Sequence, residues 1–201
     1  MINGIDVSHW NKDYLVSNEY NEFKDADFCI FKATEGVSYT DYLLDQFVNI
    51  YSNVNRDNAI GFYHYARPEN NTARLEARHF IEVVGRFRGK AIYALDVEGT
   101  ALRITGVHKW VYEWCKYVKD VTGVLPLVYC SESACSRVSS KELKALGSGL
   151  WCARWSKDAP RKTMIKPWTF WAIWQYSDKP IDRDVFNGDL SQFRKYMTIN
   201  K

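Results

Sequence analysis

Several features that define other protein classes are missing from this 201-residue chain. It has no apolar run long enough to cross a bilayer, so we predict no membrane insertion. It does not begin with a basic segment, an apolar segment and a cleavage site, so no secretory signal peptide is predicted and synthesis in the cytoplasm is expected. The net charge is only +3 and the basic residues are scattered, which disfavours nucleic acid as a partner.

Motifs for metal, nucleotide or nucleophile chemistry are also missing. The five cysteines show no CxxC or Cys/His spacing, so buried reduced thiols are expected, with Cys130 and Cys135 as the one close pair. His9 and His64 could join Asp6 or Glu98 as metal ligands, but an HExxH pair is lacking. A GxGxxG loop, a Walker loop and a GxSxG elbow are lacking as well. We therefore predict neither metal nor cofactor.

Aromatic residues are unusually abundant. They make up 15% of the chain, with 8 Trp and 13 Tyr. Flat rings with a polar tip suit a surface that stacks against sugars, although an aromatic core is an equally good explanation for any single residue.

Short β-branched or aromatic runs alternate with helical stretches, which is typical of βα units around a parallel sheet. The eight predicted strands are Ile2 to Val7, Phe28 to Ala33, Ile60 to Tyr65, Ile92 to Val97, Leu125 to Cys130, Leu150 to Ala153, a run within Phe170 to Tyr176, and Ile181 to Phe186. The predicted helices are Asp41 to Asn55, Thr72 to Phe87, His108 to Val121 ending at Gly123, and a weaker Ser133 to Leu146 closed by Gly147.

The last three strands follow each other too closely for full crossover helices. This pattern predicts an α/β fold, an irregular TIM-like (β/α) barrel with eight mostly parallel strands and fewer helices, of the (β/α)5(β)3 kind. We see no linker or repeat, so residues 1–201 are expected to form a single catalytic barrel domain and to act as a monomer.

Active sites of such barrels lie where the strands end. Polar or aromatic side chains stand at or just beyond the end of every predicted strand: Asp6, His9 and Trp10; Lys32 and Glu35; Tyr63, His64 and Tyr65; Asp96 and Glu98; Tyr129; Arg154 and Trp155; Gln175; Asp182 and Asp184. A ring of polar and aromatic side chains that includes several carboxylates predicts an active site at this end of the barrel.

The strongest local signal is the run from Tyr93 to Gly99. Because strand side chains alternate, Asp96 and Glu98 share one face, with Cα atoms about 6 to 7 Å apart. Two carboxylates this close in a partly desolvated pocket do not both ionise easily, so one can keep a proton near neutral pH. Glycoside hydrolysis needs such an acid, although salt bridges at a strand end would also place two acids there.

Five segments, taken together and in order, resemble glycoside hydrolase family 25, the Chalaropsis-type lysozymes. They are Gly4-Ile5-Asp6-Val7-Ser8-His9-Trp10, Phe31-Lys32-Ala33-Thr34-Glu35-Gly36, Gly61-Phe62-Tyr63-His64-Tyr65-Ala66, Leu95-Asp96-Val97-Glu98-Gly99, and Trp174-Gln175-Tyr176 with Ile181-Asp182 and Val185-Phe186-Asn187-Gly188. The resemblance implies cleavage of the β-1,4 bond from N-acetylmuramic acid to N-acetylglucosamine, with peptidoglycan glycan strands of the bacterial wall as the partner.

Carried over by position, the resemblance makes Glu98 the acid/base and places Asp6, Asp96 and Asp182 around the same sugar. The residues expected to bind substrate are Lys32, Tyr63, Tyr65, Tyr129, Trp155 and Gln175. The sequence departs from the family's pattern in having Asp184 where Asn is usual, and both Asp182 and Asp184 would face the same way on a strand. It also stops soon after the barrel, without wall-binding repeats.

The resemblance favours a retaining reaction. Because two carboxylates on one strand approach the sugar from one side, the expected nucleophile is the 2-acetamido oxygen of the substrate, with Asp96 orienting it or its charged intermediate. The rival is attack by water or by a carboxylate such as Asp182. Two other functions compete: a non-catalytic sugar-binding barrel, against which the acid pair argues, and a chitinase-like hydrolase, whose run of acids is usually longer.

Overall fold

In the computed structural model, which describes residues 1–55, 57 and 59–198, one sheet curls into a closed barrel. Its strands are β1 (Ile2–Val7), β2 (Phe28–Glu35), β3 (Tyr39–Thr40), β4 (Ile60–Tyr65), β5 (Ile92–Asp96), β6 (Leu127–Ser131), β7 (Leu150–Ala153), β8 (Ile173–Ser177) and β9 (Asp182–Phe186). The helices are α1 (Lys12–Ser17), α2 (Asn21–Asp25), α3 (Leu44–Val54), α4 (Ala73–Val84), α5 (Val107–Thr122), α6 (Cys135–Val138), α7 (Lys141–Leu146) and α8 (Leu190–Lys195).

The barrel closes because β1 pairs with both β2 and β9. From β1 round to β8 every pairing is parallel, whereas β9 is antiparallel to both of its neighbours, and the short β3 only extends the edge of β2. Helices follow the first five barrel strands, and β7, β8 and β9 succeed one another without any helix among the described residues. The predicted irregular barrel, five βα units followed by three strands, is confirmed.

The prediction of one helix over Ser133 to Leu146 is wrong, because α6 ends before Ser139 and α7 begins anew. The Ser140 side chain accepts a hydrogen bond from the Leu143 backbone N–H at 3.0 Å, so it caps a new helix rather than continuing the old one. Gly147 does close α7, with a left-handed φ of +88° that suits glycine.

Two apolar layers are separated by the wall of the barrel. On β5, Tyr93 and Leu95 face outward into the layer shared with the helices, and Ile92 and Ala94 face into the barrel. The inner layer is filled by large rings such as Trp151, so the barrel is solid below its rim. The inward face of β5 therefore continues to Asp96 at the rim.

Among the described residues, no helix is long and apolar enough to span a membrane. The single domain over residues 1–201 stays a prediction, and its last three residues lie outside the described part of the chain.

Candidate active site

A cleft of about 330 Å³ opens at the end of the barrel where the parallel strands finish. Its lining residues come from β1, β4, β5, β6, β7, β8, β9 and the loops that follow them: Asp6, Tyr63, Asp96, Glu98, Tyr129, Trp151, Trp155, Gln175, Asp178 and Asp182. Eight of the ten residues singled out from the sequence as catalytic or substrate-binding are in this list, since Lys32 and Tyr65 are not.

Asp96 and Glu98 both line this cleft, with Val97 between them facing the outer layer. The chain then turns at Gly99, whose left-handed φ of +55° starts a 3-10 turn and leaves Glu98 at the rim. Asp96 is 7% exposed, and its Oδ1 atom has no hydrogen-bond partner among the described residues. This oxygen could therefore accept a hydrogen bond from an N–H or O–H group of the substrate.

Both carboxyl groups hold a proton more tightly than usual. Burial, and then the charge of Glu98, raise the pKa of Asp96 well above its ordinary value. Burial also raises the pKa of Glu98, against a smaller lowering by the Lys32 charge. The two groups titrate as a pair, so a proton remains available beside a carboxylate at a higher pH than free acids would allow.

Lys32 lies beside the cleft rather than in its lining. Its ammonium donates to Glu35 at 2.7 Å and lies 4.9 Å from the centre of the Tyr65 ring. Glu35 also accepts from Arg67, at 2.8 Å from Nε. The positive charge of Lys32 is therefore largely shared with Glu35, which limits how far it can lower the pKa of the acid pair.

On the opposite wall, Gln175 organises three residues of the cleft. Its Oε1 atom accepts from the Tyr129 hydroxyl at 2.9 Å and from the Trp155 indole N–H at 3.0 Å. Its Nε2 atom donates to Asp6 at 2.7 Å. Trp155 is 61% exposed, so one face of its ring is open to a sugar.

The structure separates the two acids of β9 by depth. Asp182 pairs with Asp6 across the strands and lines the cleft, while Asp184 lies opposite Gly4, below the cleft, with no exposed surface. Burial and the nearby Asp178 charge raise the pKa of Asp182 to about 6. Of the two acids that the sequence left open, only Asp182 is in the lining.

Three features of the site differ from the sequence reasoning. Trp151 and Asp178 line the cleft and had not been singled out; Trp151 occupies an inward position of an apolar strand, and Asp178 lies in the loop after β8. His64, grouped with the residues of the rim, faces outward, where its Nε2 atom contacts the buried Glu76 at 2.7 Å.

The histidines considered as metal ligands, His9 and His64, do not lie beside the carboxyls of the cleft. His9 contacts Asp41 at 2.8 Å through Nδ1, away from the cleft lining. Within residues 1–55, 57 and 59–198 no group of three or more His, Cys, Asp or Glu side chains is arranged to hold a metal ion. The acidic groups of the cleft are carboxyls with raised pKa values. Such groups can donate a proton to an oxygen atom, accept one from it, or stabilise a positive charge that develops beside it.

Comparison with known proteins finds relatives both by sequence and by structure. Lysozyme M1 of Streptomyces globisporus is 29% identical over 95% of this chain and 69% of its own length. The N,O-diacetylmuramidase of Chalaropsis is 26% identical over 98% of this chain and 99% of its own length. A solved family GH25 lysozyme from Aspergillus fumigatus superimposes with a TM-score of 0.78 at 25% identity, covering 98% of this chain and 99% of the other.

The sequence profile of the family described as "Glycosyl hydrolases family 25" matches residues 5–185, which extend from β1 to β9 and include every residue of the cleft lining. The chain therefore belongs to glycosyl hydrolases family 25 and is a glycoside hydrolase.

Proposed function

We propose that this chain is a lysozyme that hydrolyses the β-1,4 bond between N-acetylmuramic acid and N-acetylglucosamine in bacterial peptidoglycan. The observation that carries the proposal is that Asp96 and Glu98, both with raised pKa values, line the same cleft as several aromatic side chains. The names of the lysozyme and diacetylmuramidase relatives support the same substrate.

Glu98 is the proton donor in this proposal. It is less buried than Asp96 and stands at the rim, so its carboxyl can reach an oxygen of a glycan lying along the cleft. Burial, which raises its pKa, keeps it protonated to higher pH and so favours protonation of the leaving oxygen.

Asp96 acts on the substrate's 2-acetamido group. Its Oδ1 atom is buried without a donor among the described residues, and an amide N–H is the donor that such an oxygen lacks. Accepting this N–H would turn the acetamido oxygen toward the sugar carbon that loses its bond. Asp182, which lines the cleft, would stabilise the positive charge that develops in the transition state.

Six further residues would position the sugars. Trp155 and Tyr63 offer ring faces in the lining, and Gln175 fixes Trp155, Tyr129 and Asp6 relative to one another. Lys32 and Tyr65, which contact each other beside the lining, would bind sugar groups at the edge of the cleft.

Mass spectrometry of digested peptidoglycan tests this function. We expect new reducing ends on N-acetylmuramic acid, whereas reducing ends on N-acetylglucosamine would contradict the assignment of the bond. A chitinase-like enzyme would instead release oligomers from chitin. Glu98→Gln should abolish product formation, with Glu113→Gln on the exposed surface of α5 as the matched control. Wall binding without products from the parent protein would indicate a non-catalytic sugar-binding barrel.

A further inference from the structure

Asp184 is buried beneath the cleft, and no Lys, Arg or His side chain of the described residues forms an ion pair with it. It has no exposed surface, and its Oδ1 atom accepts a hydrogen bond from the Trp151 indole N–H at 2.8 Å. Its Oδ2 atom has no donor among the N–H and O–H groups of the described residues. A buried carboxylate oxygen in this situation is costly unless a proton lies beside it.

The missing proton can come from Asp6, because the side chains of Asp6 and Asp184 are in hydrogen-bonding contact. Asp6 Oδ2 already accepts from Gln175 Nε2, which leaves Oδ1 to carry a proton toward Asp184. One proton between the two carboxyls then gives every oxygen of the pair a partner.

We propose that Asp6 and Asp184 form a proton-sharing carboxyl pair, in which Asp184 is a positioning residue that makes the geometry of the cleft depend on pH. The proposal rests on the function proposed above only for its effect on activity. The pair extends into the cleft through Gln175, whose other contacts are Tyr129 and Trp155. When the shared proton is lost, two adjacent buried charges repel each other and Asp6 no longer holds Gln175 in the same place.

The surroundings of the pair favour keeping the proton. Burial is the largest cause of the raised pKa of both groups, and the pKa of Asp184 rises to about 7. The strands packed against the pair bring acidic or neutral groups: Asp182 on β9, Cys29 on β2, Tyr63 on β4, Tyr129 on β6, and the uncharged Trp151 on β7 and Gln175 on β8. The charge of Asp182 raises the pKa of both members further.

Asparagine at position 184 would remove the titration while preserving the contacts. Its Oδ1 atom can still accept from Trp151, and its Nδ2 group can donate to Asp6, so the contacts are kept while position 184 no longer carries a proton that can be lost. The Asp184→Asn variant therefore separates the shape of the site from its response to pH, and Asp25→Asn on the exposed end of α2 is the matched control.

The test combines two measurements on the full chain. The first follows the indole ¹H–¹⁵N resonance of Trp151 by NMR from pH 5 to 9, with a Trp151→Phe variant to assign it. We expect it to titrate within this range in the parent and in Asp25→Asn, and to stay flat in Asp184→Asn. A flat parent resonance would overturn the proton-sharing pair, and the parent measurement does not depend on any variant folding.

The second measurement is kcat/KM on soluble peptidoglycan fragments over the same range. The activity that the parent loses at alkaline pH as the pair loses its proton should be retained in Asp184→Asn, so the ratio of activity at pH 8 to that at pH 5.5 should be several-fold higher in the variant than in the parent. The part of the pH profile of kcat/KM that is due to Glu98 is common to both proteins, so it does not affect the comparison between them. Identical profiles with a titrating indole would contradict the positioning role. A parent without activity would refute the proposed function and leave the NMR result to judge the pair.

Discussion

The buried carboxyl of Asp184 should make the stability of the fold depend strongly on pH. In the unfolded chain an aspartate loses its proton near its ordinary value of about 3.9. In the folded protein the pKa of Asp184 is raised by burial to about 7, so the folded state binds the proton more tightly. This group therefore adds no penalty below about pH 4, lowers the free energy of unfolding as the pH rises to about 7, and lowers it no further above that.

The size of this penalty follows from the difference between the pKa of Asp184 in the folded protein and in the unfolded chain. Each pH unit between the folded and unfolded values is worth about 1.4 kcal/mol, so a displacement of about three units corresponds to about 4 kcal/mol at pH 8. Asp184→Asn removes the ionisation and keeps a side chain of nearly the same shape. We expect it to raise the free energy of unfolding by only about 1 kcal/mol at pH 4.5 and by up to about 4 kcal/mol at pH 8.

Urea denaturation at pH 4.5, 6 and 8, followed by tryptophan fluorescence, measures the effect. With a slope of about 2 to 3 kcal/mol per molar urea, the unfolding midpoint of Asp184→Asn should rise by about 1 to 2 M relative to the parent at pH 8. Asp25→Asn should follow the parent at every pH, because its side chain is exposed in both states. A difference between Asp184→Asn and the parent that is the same at pH 4.5 and 8 would refute the reasoning, since a packing effect has no such pH dependence.

Four further outcomes are expected. Glu98→Gln should fold normally and lower kcat by about 10² to 10⁴, measured by wall clearing and by soluble-substrate kinetics, and near-native lysis would refute its role as proton donor. Asp96→Asn should lower the maximum of kcat/KM while moving the alkaline limb little, because burial is the first cause of the raised pKa of Glu98; a large downward movement of the limb would show that the Asp96 charge sets it. Glu76→Ala should lower the free energy of unfolding by about 1 to 3 kcal/mol in denaturation experiments, because it leaves the Nε2 atom of the fully buried His64 without its hydrogen-bond partner, and a loss below about 0.5 kcal/mol would contradict this. EDTA should leave activity unchanged, and inhibition reversed by a single divalent ion would contradict that expectation.

Strand periodicity was enough to predict the framework and the acid pair's location. Side chains alternate on a strand, so the pattern from Tyr93 to Glu98 predicts which residues face the barrel interior, and the outer layer does contain Leu95 and Val97. The helix over Ser133 to Leu146 was wrong because apolar spacing continues through two short helices, while the break depends on Ser140 capping the second.

Depth along a strand was not predictable in the same way. The side chains of Asp182 and Asp184 point to the same face of β9. Only the closed barrel shows that Asp182 lines the cleft and that Asp184 lies below it. Trp151 belongs to a four-residue strand that is buried throughout, so the sequence could not show that its indole reaches the floor of the cleft. Asp178 lies in an irregular loop, where alternation does not apply.

The same physical cause gives this cleft its chemistry and its sensitivity to pH. Carboxyl groups placed on the inner face of the barrel lose water, and this raises the pKa of the acid pair and of the deeper pair alike. Lys32 offsets this only in part, because its ammonium is already bonded to Glu35. A change that relieved the burial of Glu98 would stabilise the fold at neutral pH and would also release the proton that the reaction needs. The aromatic packing of the two layers, with rings such as Trp114 and Trp151 fully buried, must therefore supply the stability that the acidic rim removes.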